Sequence, residues 1–452
     1  MNTLHRSLPD SPRRRRVPIA AVCVLGILAS AAQAQHVPRT GVAVVDSAAV
    51  ARAAYRDAGA ALQRGDLDAA RRAVTHAARA WPTQEAYVWS RASLSARAHD
   101  TADVRAALRD YLDLGLGRDV RQNPNLKSLA DVPAFATLVR QLDENRSPRV
   151  RSVVRGQIDD STFYPEGMDV DPSNGHVFVA SIRHGTIAEL DAQGRLLREL
   201  LPWAQPGIGA IMGVRVDTAR HVLWATAVGL PQSLGYQRGD STVAALIQVR
   251  MSDGVLEKRW DLTPASAGHV LGDLAVGPDG TVAMTDSNEP VLYVLRPAAD
   301  SLTRIENPYF HSLQGVAFAP GGHTLYVADY SHGLLHLDLD SRRVTRLVDA
   351  PHSTSLGCDG IVWFNGSIIA VQNGVDPARV VRFFLDRSGG RITRVEVLDQ
   401  NSDVADEPTI GAMRGGEFLY VATSQWNKFT DAGVRRPEVP LTMPRILGVP
   451  VH

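Results

Sequence analysis

The stretch HSLQGVAFAPGGHTLYVADYSHGLLHLDLDSRRVTRLV runs from His311 to Val348. Val316, Phe318, Leu325, Val327, Leu335 and Leu337 are apolar at alternate positions, and Pro320-Gly321-Gly322 and Asp340-Ser341 supply turns. It therefore reads as a meander of short strands. A lone four-stranded meander cannot bury both of its faces, so the pattern must recur for the chain to fold. It does recur, as a variable residue, then Gly or Asp, then apolar residues at alternate positions leading to a turn and a second strand. The leading residues are Glu166, Met212, Gly272, Gln314, Asp359 and Ile410, spaced 46, 60, 42, 45 and 51 positions apart. The second strands are HVFVAS, HVLWAT, TVAMTD, TLYVAD, SIIAVQ and FLYVAT. Six copies at that spacing imply a six-bladed β-propeller with four strands per blade.

The chain opens on what reads as an export signal, residues 1–34. Arg13 to Arg16 form a basic region, Val17 to Ser30 an apolar core, and Ala32-Gln33-Ala34 a small-residue cleavage site, so the mature chain is expected to begin near Gln35. The apolar run is too short for a stable membrane anchor, and the expected location is periplasmic or secreted. Cleavage would remove Arg6, Arg13 to Arg16 and Asp10, leaving 43 basic and 47 acidic residues. Nothing in that balance points to nucleic acid. Of the 2 cysteines, Cys23 leaves with the signal, so Cys358 has no partner for an intramolecular disulfide.

Residues 46–145 are rich in Ala, Arg and Leu with helical periodicity. Small residues at Ala58, Ala61, Ala70 and Ala77, a turn at Gly65-Asp66 and a closing Pro82 resemble a tetratricopeptide repeat, and a looser copy follows from Glu85 to Gly115. This small all-α domain is expected either to prop the propeller or to bind a protein partner. Arg146 to Arg149 reads as a linker, and the all-β propeller occupies 150–452. Val150 to Ile158 and Arg445 to Val451 both look like strands, and are the candidates to share a blade and close the ring. Gly229 to Ser241 and Trp426 to Thr442 read as long loops over one face.

In an antiparallel meander the start of the first strand and the end of the second share one edge. The six leading residues therefore ring one mouth of the central channel, joined by second-strand ends such as Asp329 and Asn373. Two carboxylates, Glu166 and Asp359, and the carboxamide of Gln314 converge there as hard oxygen ligands of the kind a divalent cation, Ca²⁺ above all, would take. His269 and His311 each stand three residues before a leading residue, where they either contact substrate or hydrogen-bond loop backbone. Asp329 is a further candidate for substrate binding.

The signatures PEGMDVDP, GDLAVGPDGTVAMTDS, QGVAFAPGGHTLYVAD and CDGIVWFNGSIIAV resemble those of the regucalcin and gluconolactonase family, over most of Tyr164 to Thr423. By position, the resemblance implies that Glu166, Gln314 and Asp359 hold one divalent cation, with Gln314 standing where the family has Asn. It further implies lactone hydrolysis, with Asp359 taking the proton of the attacking water. Gly272 stands where the family has a substrate-contacting Asn, and adjacent Asp273 compensates only if it turns inward. No HExxH, GxSxG, phosphate-cradling glycine loop or CxxC is present, which excludes the usual zinc protease, serine hydrolase, nucleotide and thiol-redox patterns. The expected function is an exported, metal-dependent hydrolase of a lactone or similar small ester. The alternative is a non-catalytic binding or scaffold propeller, for which the apolar Met212 and Ile410 and the bare Gly272 argue.

Overall fold

A computed structural model describes residues 47–264 and 268–452. The expected signal segment and its cleavage site lie outside them. Among the described residues, six four-stranded sheets form the six blades. Their first strands are Pro165–Val170, Ala210–Asp217, Leu271–Val276, Leu313–Phe318, Cys358–Phe364 and Gly411–Arg414, numbered here as blades one to six. Met168, Val214, Leu274, Val316, Ile361 and Ala412, each two places after the leading residue, are all buried between blades. The alternation visible in the sequence is thus the alternation between channel and inter-blade core.

The sixth sheet runs in the order Val153–Gln157, Arg445–Pro450, Glu417–Val421, Gly411–Arg414. Its outermost strand comes from the start of the propeller and the other three from its end, with Val153 opposite Gly448 and Gln157 opposite Arg445. That pairing closes the ring with backbone hydrogen bonds and leaves no gap between first and last blade.

Five blades share a second regularity that alternation could not reveal. The register between first and second strands slips immediately after the residue preceding the leading one, between Pro165 and Met168, Ile211 and Val214, Leu271 and Leu274, Leu313 and Val316, and Cys358 and Ile361. Such bulges re-aim side chains, and here they stand at the channel mouth. The glycine after the leading residue is required by crowding: a Cβ on Gly167 would come within 2.3 Å of Met212 O, and one on Gly315 within 2.5 Å of Asp359 O. The blades approach each other there backbone to backbone.

Before the propeller come α1 (Ser47–Gln63), α2 (Leu67–Ala80), α3 (Glu85–Arg97), α4 (Thr101–Asp113) and α5 (Ala136–Asn145). Ala48, Ala51, Ala54, Ala58 and Ala61 form the buried stripe of α1, and these small residues let α2 pack closely. Asp66 and Asp100 cap α2 and α4 through the N–H groups of Ala69 and Asp103.

The helices are not a separate body. Leu356 and Val375, from two loops of blade five, belong to the same apolar core as Trp81, Tyr87, Val88 and Leu116. Gly117 N–H donates to Asp376 O at 3.1 Å, and the buried Arg379 donates from Nη1 to Gly115 O at 3.1 Å. Gln400 Nε2 donates to the carbonyls of Asn145 and Ser147, both at 2.9 Å. The loops being gripped enter first strands or leave second strands, so the helices sit on the mouth side of the ring.

Candidate functional site

The bulge of blade one delivers Glu166 to the mouth, where the side chain is almost wholly buried. Its Oε2 accepts hydrogen bonds from Trp426 Nε1 at 2.9 Å and Ser424 Oγ at 3.3 Å, both from the long loop of blade six. No described residue donates to Oε1. Asp359 of blade five is arranged alike: Oδ2 accepts from Asn373 Nδ2 at 2.7 Å, and no described residue donates to Oδ1. Asn373 Nδ2 also donates to Pro408 O at 2.8 Å, while its Oδ1 is buried without a partner among the described residues. Gln314 donates from Nε2 to Ser312 Oγ at 3.3 Å, and no described residue donates to its Oε1. Among the described residues the mouth therefore carries several oxygen acceptors without a donor, of which Asn373 Oδ1 is fully buried.

Charge sharpens the picture. Burial, then the charge of Asp359, pushes the Glu166 carboxyl well above the usual carboxylate range against the bonds from Trp426 and Ser424. Burial, with a contribution from Asp273, pushes Asp359 up to about 7, opposed by the Asn373 hydrogen bond. Glu407, behind Trp426, is also raised by burial to about 7. Two carboxylates that resist ionising side by side are offset by a cation or a shared proton.

Asp273 is engaged by another blade. It meets Arg215 of blade two, Oδ2 to Nη2 at 2.7 Å, with both side chains buried. Arg215 donates further to the carbonyls of Met168 and Val214, and Asp169 accepts from Val216 N–H at 2.8 Å. This network ties the first three blades together. Gly272 leaves its place to two hydroxyls, since a Cβ there would meet Thr285 Oγ1 at 3.2 Å and Ser287 Oγ at 3.7 Å.

Burial pushes the Asp273 carboxyl up to about 6 in spite of Arg215. A carboxyl group raised on folding contributes its full stability below the unfolded value, about pH 4, and loses it as pH rises through the folded value. Melting temperature should therefore fall by a few degrees between about pH 4 and 6. Asp273→Asn, which cannot ionise, is expected to show that slope flattened. A variant profile parallel to the wild type would place the cause elsewhere.

The other candidate residues hold loops in place. His269 engages Asp286 Oδ2 through Nδ1 at 2.5 Å and Thr263 O through Nε2 at 2.9 Å, so both ring nitrogens are occupied. Asp329 accepts from the N–H groups of His311, Ser312, Ser331 and His332 and from Ser331 Oγ, which fixes the lead-in to blade four. His311 stacks on His332 with centroids 4.0 Å apart. Trp426, Ser424 and Arg215 escaped the sequence reading. Trp426 and Ser424 lie in or beside a loop that shows no periodicity, whereas a lone arginine among channel-facing positions was a usable signal for Arg215.

Among the described residues no three His, Cys, Asp or Glu side chains gather as a metal-binding group. An ion at this mouth would thus rest on two carboxylates completed by carboxamide oxygens. No family model matches the chain, and no curated protein does. Solved structures similar to it include regucalcin from Agrobacterium tumefaciens, described as a calcium-binding protein, at 17% identity over 66% of this chain and 96% of that one, TM-score 0.45. The PQQ-bound aldose sugar dehydrogenase from Streptomyces coelicolor follows at 16% identity over 68% and 100%, TM-score 0.44. Virginiamycin B lyase from Staphylococcus aureus stands at 13% identity over 68% and 100%, TM-score 0.43. The blades of this chain, independently of these likenesses, make it a six-bladed propeller.

Proposed function

We propose that the chain is a divalent-cation-dependent hydrolase of a lactone or similar small ester, acting at the channel mouth. The observation that carries this reading is the pair of buried carboxylates, Glu166 and Asp359, each with one oxygen unclaimed, beside the unpartnered Asn373 Oδ1. Glu166, Gln314 and Asp359 would hold the ion, with Ca²⁺ the natural candidate for an all-oxygen set. When bound, it would supply Lewis-acid polarisation of the scissile carbonyl.

The chain's own residues do the rest. Asp359, kept ionised by the cation it helps to hold, is the carboxylate placed to take a proton there. As the water oxygen bonds to the carbonyl carbon, its proton passes to Asp359. The same proton goes to the leaving alkoxide when the ester C–O bond breaks. Trp426 and Ser424 hold Glu166 in one orientation, and the buried Met212 and Ile410 lead the blades on either side of it. Export to the periplasm or medium, from the signal-like residues 1–34, belongs to the same proposal.

Stripping the protein with chelator and restoring Ca²⁺ is expected to raise the melting temperature and recover lactone hydrolysis together. A purified protein that binds no divalent ion would sink the reading. The apolar Met212 and Ile410 and the bare Gly272 favour a second possibility, a propeller that binds at its mouth without turnover. Ion binding without hydrolysis of any lactone or ester would select it.

A further inference from the structure

Helix α1 and the turn leading into α3 grip the turn of blade four that follows its second strand. Arg52 on α1 donates from Nη1 to His332 Nε2. The Trp81 ring lies 5.3 Å from the His332 ring, and Gln84 Nε2 donates to Ser331 O at 3.5 Å. With Nε2 accepting, the His332 proton sits on Nδ1, which faces Ser331 Oγ at 3.3 Å and Asp329 Oδ1 at 3.6 Å.

The same Asp329 holds the lead-in to the mouth. Its Oδ2 accepts from the N–H groups of His311 at 2.7 Å and Ser312 at 2.9 Å, and Tyr330 N–H donates to Ser312 O at 2.8 Å. Ser312 Oγ in turn accepts from Gln314 Nε2 at 3.3 Å. A continuous run of hydrogen bonds thus leads from a helix outside the propeller to a side chain on its channel. A carboxylate with this many donors lets the turn and the lead-in move only as one piece.

We propose that Arg52 is a positioning residue for the channel mouth, holding His332 and the Asp329 turn so that Gln314 keeps its orientation. The helical region is then a working part of the mouth. The consequence for ion binding rests on the function proposed above; the consequence for the backbone does not.

The test uses the full chain. Arg52→Met keeps the aliphatic stem and removes the donors, Arg52→Lys restores one, and Arg64→Ala, exposed just beyond α1, serves as control. Hydrogen–deuterium exchange at the amides of His311, Ser312 and Leu313 should rise about tenfold in Arg52→Met, the scale of one lost hydrogen bond. It should stay at wild-type level around Glu166, and return toward wild type in Arg52→Lys. Calcium affinity, by calorimetry, should weaken about threefold to tenfold in parallel. Unchanged exchange at residues 311–313 overturns the proposal. So does a uniform rise across all blades, which would report lost folding instead of lost position. If the wild type binds no Ca²⁺, the proposed function falls and exchange alone decides the role of Arg52.

Discussion

Asp359→Asn is expected to lower the turnover of a small lactone by about a thousandfold, within the range found when a general base is removed, while leaving the ring folded. The substitution is nearly isosteric. An amide oxygen at this position can still accept from Asn373 Nδ2, so the local hydrogen bond survives. What is lost is the group that takes the proton. Because the charge removed is a buried one, the melting temperature of the chelator-treated protein should hold or rise, while the rise on adding Ca²⁺ should shrink with the loss of a charged ligand. Glu166 would ionise more readily once its neighbour carries no charge, since Asp359 is among the causes that raise it. Circular dichroism and single-turnover kinetics on the same preparation check the prediction. Undiminished turnover would move the chemistry away from Asp359, whereas loss of folding would mean that the pair is structural.

The second large effect concerns the helices. A chain beginning at Val150 is expected to melt at least about 10 °C lower than the full protein, or to aggregate on expression. Removing residues 47–149 would bare Leu356 and Val375, each costing about 1.5–3 kcal/mol of lost burial. It would also strip Arg379 of its bond to Gly115 O and leave Gln400 without two carbonyl acceptors. A buried guanidinium deprived of an acceptor is more expensive than a lost apolar contact. Differential scanning fluorimetry with size-exclusion chromatography decides the matter, and a truncated chain melting within a degree or two of the full one would contradict it. Residues that prop or bind independently could be deleted without this penalty.

The blades were legible because each first strand alternates between the channel side and a packed neighbour, so Val316 and Phe318 announce themselves. The glycine of the signature was legible too, though its cause, contact with the next blade's backbone, was not. The mouth was half legible. Glu166 and Asp359 could be placed there by counting strands, but the bulges that aim them leave no trace in polarity. Trp426 donates to Glu166 from a loop 260 residues further on, and no local pattern encodes a contact of that reach. Asp273 was ambiguous for a similar reason, since its partner Arg215 lies on another blade. The seat of the helices was hidden because it depends on Leu356 and Val375, two apolar residues in loops whose neighbours are polar.

The shared sixth blade sets an order of events. Val153 to Gln157 are made long before their partners Arg445 to Pro450. Until then the outer strand has nothing to pair with and blade one lacks the wall that its neighbour will supply. Closure is therefore the longest-range event in the propeller and the slowest to be rewarded. A ribosome stalled before Arg445 would leave the helices and five blades around a ring that cannot lock, an open and sticky species instead of a nearly finished one.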